Sequence, residues 1–326
     1  MELIIINLAD GLVTGLLLFM LSAGLTLIFS MMGVLNFAHA SFYMLGAYFG
    51  YQISRILGST LGHDAGFFVA LLVAPVIVGV LGALVERYGL RQVHKHGHVP
   101  ELIFTFGLAF LIEEIVQFFW GVNLMAYELP GVLNFTLFSI GQNAFPAYKF
   151  FMIAVSVSIF LVLMIILKRT RVGLVIQAAL SHPQTVEALG HNVPRVFMGV
   201  FGVGTALAGV AGVIAGPVLG TFPGMAFVLG SIVFVVIVVG GLGSLWGALV
   251  ASLLIGWMTT FAKTYNVSGA DVLGLVGLAP PDDLSDNPFR DIWTMTLPQI
   301  ADILPYLFLI LVLVFRPYGL MGKRET

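Results

Sequence analysis

Three polar side chains stand close together in an apolar stretch: Asn36, His39 and Ser41, within Gly33-Val34-Leu35-Asn36-Phe37-Ala38-His39-Ala40-Ser41. An amide, an imidazole and a hydroxyl cost free energy in hydrocarbon unless they find partners, so they face protein or a hydrated cavity. They either line a polar path beside Phe37 or hold a broken helix in shape by packing. Histidine is the residue type whose ordinary titration range spans physiological pH, but a neutral hydrogen-bonding role is the reading adopted for His39. A second break, Gly240-Gly241-Leu242-Gly243-Ser244, puts Gly241, Gly243 and Ser244 together, with Gly243 and Gly247 spaced for close helix contact. Backbone exposed there meets a solute or packs. Glu113 and Glu114 fall inside an apolar segment, where carboxylates serve as proton relays or pair with a polar neighbour near an interface. His94, His96 and His98 alternate in a basic connection; without a carboxylate or Cys partner they make a poor metal cage and read as a solvated polar loop, so no metal ligand is assigned.

Other chemistry is excluded. The Gly-Lys pair Gly322-Lys323 is followed by Arg324 at the tail, and no GxxxxGK[ST] phosphate loop occurs, so this chain is no ATPase. HExxH and GxSxG are missing too. With no cysteine, the chain has no disulfide framework, thiolate metal site or cysteine nucleophile.

The elements that must position these residues follow from composition. Of 326 residues, 59% are hydrophobic and 9% charged, where soluble chains carry roughly a quarter charged residues. The protein is therefore integral to a membrane, and a soluble enzyme, a nucleic-acid binder and a disordered scaffold are excluded. The net charge of −2 identifies no partner, because in a membrane the location of charge matters. The amino terminus lacks a basic n-region and its apolar run outlasts a signal peptide's core, so it is expected to stay as an anchor.

About 20 apolar residues cross a bilayer. On that criterion nine segments read as spanning, near residues 5–30, 34–53, 66–86, 102–121, 149–167, 196–216, 225–243, 246–263 and 303–316. The second and seventh are the weakest as full spans, since each starts beside a break. The expectation is an all-α, polytopic membrane bundle of eight to nine segments forming one domain over 1–326. Continuous apolar runs such as Leu16 to Leu21 and Val233 to Val239 exclude the alternation of a β-barrel.

Cations set the orientation. Arg87, Arg91 and Lys95 share one connection, Lys168, Arg169, Arg171 and Arg195 a second, and Arg316, Lys323 and Arg324 the tail, so ten of fourteen lie in three places. Those three are expected to be cytoplasmic, and the parity of segments between them agrees. The amino terminus then lies outside, as does the acidic connection 264–302, with Asp271, Asp282, Asp283, Asp286, Asp291 and Asp302 against Arg290 and with Pro280, Pro281, Pro288 and Pro298. That loop is a solvated connector or a contact for a soluble partner. The connection 168–195 reads as two short helices split by Pro183, the second ending at Gly190. Its Val186 and Leu189 suit docking into a groove on another protein; lying on the membrane surface is the alternative.

A weak internal repeat is also visible. The first segment, a break at Met31 to Asn36 and the stretch Phe37 to Tyr51 match the sixth segment, a break at Gly216 to Gly224 and Met225 to Gly243. By the topology above the units are inverted, a pattern that marks a transport pathway near the midplane. Chance similarity between Gly-rich apolar helices is the alternative.

At these stretches the chain resembles a family: the permease subunits of ABC importers for branched-chain amino acids, with urea, amide and aromatic-acid relatives. The resemblance rests on Gly24 to Tyr48, Glu187 to Val196, Gly240 to Ala248 and Arg316 to Gly322, and with the spacing between them it spans nearly the whole chain. It implies a complex in a bacterial inner membrane: a second permease chain, two cytoplasmic ATPases that bind ATP and Mg, and an extracytoplasmic binding protein. It maps the ATPase-coupling element onto Glu187, Ala188 and Gly190, and it implies alternating access with no chemistry on the solute. It leaves the solute open between branched-chain or other hydrophobic amino acids and urea, amides or aromatic carboxylates. An ion-coupled secondary transporter working through Glu113 and Glu114 is the reading from a different class. The chain departs from the family at Ala40, where Gly is usual, and at His191, where an apolar residue is usual. Its loop 264–302 is longer than the family leads one to expect.

Overall fold

A computed structural model describes residues 1–141, 143–181, 183–268, 270–271 and 294–322. Apolar sequence with every backbone group paired inside its own segment folds as helix, and helices dominate. The long ones are α1 (Glu2–Met32), α2 (His39–Leu61), α3 (His63–Val85), α5 (His98–Trp120), α6 (Ala147–Arg169), α9 (Val193–Leu219) and α11 (Leu245–Thr264). Shorter apolar helices are α10 (Met225–Gly240) and α13 (Leu304–Phe315). Short connecting helices are α4 (Arg91–His94), α7 (Arg171–Ser181), α8 (Pro183–Ala188) and α12 (Leu297–Ile300).

The centre of the bundle is α1, buried on all sides from Gly15 to Leu27, as expected of a helix that is apolar all round. It packs on α9 and α11, while α9 packs on α2 and α3. These crossings are close because glycines meet at them. A Cβ at Gly24 would overlap the Gly204 carbonyl of α9, and one at Gly256 of α11 would overlap the Gly15 backbone of α1. Side-chain-free crossings of this kind let helices associate by backbone contact in lipid. One paired arrangement recurs: α3 lies along α9, and α11 lies along α1.

The structure revises several expectations. Among the described residues, six helices are long and apolar enough to cross a membrane: α1, α3 with its extension to His94, α5, α6, α9 and α11. The count of eight to nine is not reached on that criterion. With 16 and 12 residues, α10 and α13 would extend roughly 24 and 18 Å, short of a bilayer core of about 30 Å. The second segment starts at His39 rather than near 34, because Gly33 ends α1 in the left-handed region (φ 65°). In the second unit α9 continues to Leu219, so the break is confined to 220–224. Nor is the chain wholly α-helical. Strands β1 (Thr136–Ile140) and β2 (Asn143–Pro146) pair antiparallel between α5 and α6, with Phe138 stacked on Phe145 at 4.9 Å.

Of the acidic connection 264–302, residue 269 and residues 272–293 lie outside the described residues, and with them Pro280, Pro281, Asp282, Asp283, Asp286, Pro288, Arg290 and Asp291. At its start, the hydroxyl and N–H of Ser268 donate to Asp271 (2.7 and 2.8 Å) and hold that carboxyl below its ordinary range. At its end Asp302 pairs with Lys263 of α11 at 2.9 Å.

Candidate functional site

The site begins where α1 stops. After Gly33 the chain turns back along α1, and Asn36 organises the return: its side-chain Oδ1 accepts from the Ala38 N–H (3.1 Å), and its carbonyl accepts from the His39 N–H (3.1 Å). α2 then starts at His39, whose Nε2 lies 3.0 Å from the Leu21 carbonyl. A carbonyl only accepts, so Nε2 carries the proton and donates, and Nδ1 keeps its lone pair. Leu21 is eleven residues before the end of α1, so α2 starts roughly 16 Å inside the basic end of the bundle. His39 and Asn36 are 1% and 3% exposed, yet the Asn36 Nδ2 and His39 Nδ1 atoms have no partner. The one is a donor and the other an acceptor.

Both residues border a cavity of about 320 Å³ enclosed by α1, α2, α5, α10 and α13. Its walls are mostly apolar. Phe37 is 46% exposed, stacked on Phe234 at 6.0 Å and edge-on to Phe106 at 6.3 Å. On the α10 wall Gly230 faces Ala40: a Cβ there would come 2.9 Å from the Ala40 methyl. Ala40 thus takes up space that the bare Gly230 provides. Beyond it, the Tyr306 hydroxyl donates to Ser231 at 2.7 Å. Gly230, Ser231 and Tyr306 escape the sequence reading; the two hydroxyls are lone polar groups in apolar helices, and that was the available signal.

The remaining residues singled out in the sequence lie elsewhere. Ser41 does not itself border the cavity; it donates to the carbonyl of Ala109, which does (3.4 Å), tying α2 to α5. Gly241, Gly243 and Ser244 form the joint between α10 and α11 and do not border the cavity. Gly241 (φ 99°) lies against the tail, whose Leu320 and Met321 N–H groups donate to the Val239 and Gly240 carbonyls at 2.7 and 3.0 Å. Gly243 (φ 80°) lies beside Ser30, and Ser244 caps α11 by accepting from the Gly247 N–H at 3.1 Å. Glu113 accepts from Gln117 at 3.5 Å; among the described residues neither Glu113 nor Glu114 forms an ion pair or borders the cavity.

At the basic end α7 and α8 form the two-helix connection, closed by Gly190 at φ 87°. Val186 turns inward against Ala179 and Val193, so only Leu189, 74% exposed, is free to dock. Glu187, Ala188 and Gly190 are exposed, and Glu187 edges a cleft shared with Glu86, Arg91 and Lys95. Arg91 grips the buried Glu86 through two hydrogen bonds, Nε to Oε1 at 2.9 Å and Nη2 to Oε2, and also donates to the Pro194 carbonyl at 2.7 Å. A π-helical turn, Glu86–Leu90, brings Arg91 to that point. The histidines of the loop are exposed, and two of them meet a carboxylate: His94 bonds to the buried Glu101, and His98 lies 3.5 Å from the same group. Among the described residues no group of three such side chains is arranged to hold a metal.

The chain is 29% identical to the high-affinity branched-chain amino acid transport system permease protein BraD of Pseudomonas aeruginosa, over 98% of this chain and 96% of that one. It is 28% identical to the permease protein LivH of Escherichia coli K12, over 97% and 95%. A probable LivH permease of Methanocaldococcus jannaschii is 24% identical over 77% and 79%. Among solved structures, PsaBC from Streptococcus pneumoniae in complex with Fab aligns with a TM-score of 0.42 and 14% identity, over 93% of this chain and 89% of that one. The family profile described as branched-chain amino acid transport system / permease component matches residues 7–313, and this multi-pass membrane chain belongs to that family.

Proposed function

We propose that this chain is the membrane permease subunit of an ATP-driven importer in a bacterial inner membrane, passing branched-chain or other hydrophobic amino acids inward by alternating access. One observation carries the reading: a chain of this family along residues 7–313 has its buried amide and imidazole beside a cavity where a helix starts inside the membrane. The names of the BraD and LivH relatives support the solute class. The basic end faces the cytoplasm, and the unit α1 to α3 and the unit α9 to α11 are inverted counterparts, each with a broken second member. Asn36, Phe37 and His39 border the path, Ser41 anchors α2, and Gly241, Gly243 and Ser244 form a joint at its inner end.

ATP and Mg belong to two cytoplasmic partner subunits, which dock on Glu187, Ala188 and Gly190; a second permease and an extracytoplasmic binding protein complete the complex. The acidic loop 264–302 faces that binding protein. The test is to purify the tagged chain from its own membrane, identify what accompanies it, and measure ATP hydrolysis with the binding protein loaded with leucine, urea, an amide or an aromatic carboxylate. Hydrolysis stimulated by leucine is expected. A chain recovered alone, taking up solute on an ion gradient, would overturn the importer reading and bring Glu113 and Glu114 forward.

A further inference from the structure

Towards the basic end, α6 and α9 both pack on α1 and leave a groove between them that Leu27 of α1 also lines. Two cavities, of about 570 and 410 Å³, meet there at Leu163, Ile166 and Val203, which border both. On α6 the lining side chains recur every three or four residues from Phe151 to Ile166, one apolar helix face about 22 Å long. The Ser158 hydroxyl interrupts that face and is spent on the Ala154 carbonyl at 2.7 Å. Cations gather at the mouth. Gly173 lets α7 fold back tightly onto the end of α6, since a Cβ there would overlap the Ile166 and Leu167 carbonyls, and the Gln177 amide donates to the Leu167 carbonyl at 2.9 Å. That fold brings Arg171 to the mouth from α7, while Arg195 reaches it from the first turn of α9, and His191 lines it too. Both arginines are exposed, and among the described residues neither forms an ion pair. The one carboxylate between residues 150 and 262 is Glu187, which borders a different cleft.

We infer that this groove binds an anionic phospholipid from the leaflet at the basic end, its phosphate held by Arg171 and Arg195 and one acyl chain lying between α6 and α9. Charge selects the headgroup: two cations without counter-ions stand at the membrane surface, where basic pockets between helices take anionic lipids. Length selects the chain. Half a bilayer core is about 15 Å, so the apolar face of α6 accompanies an acyl chain through its whole leaflet. A free phosphate would use the cations and leave the groove empty, and a zwitterionic phospholipid would bring a cation of its own to the arginines. The inference needs only that α6 and α9 stand in a bilayer, and it holds whatever the solute.

Native mass spectrometry of the complete complex, titrated in detergent with phosphatidylglycerol or with phosphatidylcholine of the same chains, counts bound lipids and subunits together. Phosphatidylglycerol is expected to bind its first site about thirtyfold more tightly, the attraction of two cations. Arg171→Gln with Arg195→Gln should bring the two lipids to within about twofold of each other, and Arg171→Lys with Arg195→Lys should keep most of the preference. A preference that survives the Gln pair would overturn the site. Should the Gln pair not be recovered, Arg171→Gln alone decides, with a loss of about fivefold expected. Val203→Trp adds bulk where the two cavities meet, at a half-exposed position, and should weaken both lipids alike; unchanged binding would remove the chain from the groove. Displacement of phosphatidylglycerol by inorganic phosphate would show an anion site that needs no chain, and would overturn the lipid. Loss of a subunit from the Gln pair with lipid binding unaltered would make the groove a protein interface instead.

Discussion

Gly24 has no room for a side chain. Its missing Cβ would overlap the Gly204 carbonyl and stand 3.0 Å from the His39 ring, so Gly24→Ala should cost about 1–3 kcal/mol by overpacking, measured as a lower Tm in detergent. Gly33 is the contrast: its left-handed backbone has open space around it, and Gly33→Asn, a residue that tolerates this conformation, should leave Tm nearly unchanged. Across the cavity, Gly230→Ala should reduce leucine uptake by pressing on Ala40, and Ala40→Gly in the same chain should restore it; uptake that stays low in the double variant would show that the contact does not limit passage. The polarity of Asn36 and His39 was legible in the sequence because such groups are conspicuous among apolar neighbours. The pairing of Ala40 with Gly230 was not legible, since it joins α2 to α10 and no local pattern links residues that far apart.

At the scale of elements, Arg91 is the strut between α3 and α9. Removing it leaves Glu86, 1% exposed, without its cation and frees the Pro194 carbonyl. Breaking a buried pair costs about 3–5 kcal/mol, and with Arg91 about a third exposed the lower end applies. Arg91→Ala should therefore destabilise the chain, and Glu86→Gln added to it should recover most of the loss; thermal unfolding of the four chains in a double-mutant cycle measures this. Glu187→Ala, on the exposed rim of the same cleft, should instead abolish ligand-stimulated ATP hydrolysis while Tm stays put. The sequence made the basic connection and its two short helices evident from Lys, Arg, Pro183 and Gly190. It did not reveal the π-helical turn that aims Arg91 at Pro194, because that turn is set by packing against α5 and α9 rather than by propensity.

For the whole molecule, the basic end and the hairpin end are expected on opposite sides of the membrane. In this cysteine-free background, Lys95→Cys and His191→Cys should react only with reagents inside the cell, and Asn134→Cys only with reagents outside. Labelling of Lys95→Cys and Asn134→Cys from one side would refute the topology. Apolar run length made the six candidate spans legible, but not where α2 and α10 start, because each follows a break set by turn geometry rather than by hydropathy. Those breaks also bear on how the protein is made. Asn36 and His39 leave the ribosome well before α9, which begins at Val193, and at about 5–20 residues per second the interval lasts roughly ten to thirty seconds. Throughout that interval the first two helices hold their polar turn with no α9 or α10 to cover it, so the insertion machinery must keep it from lipid until the second half arrives.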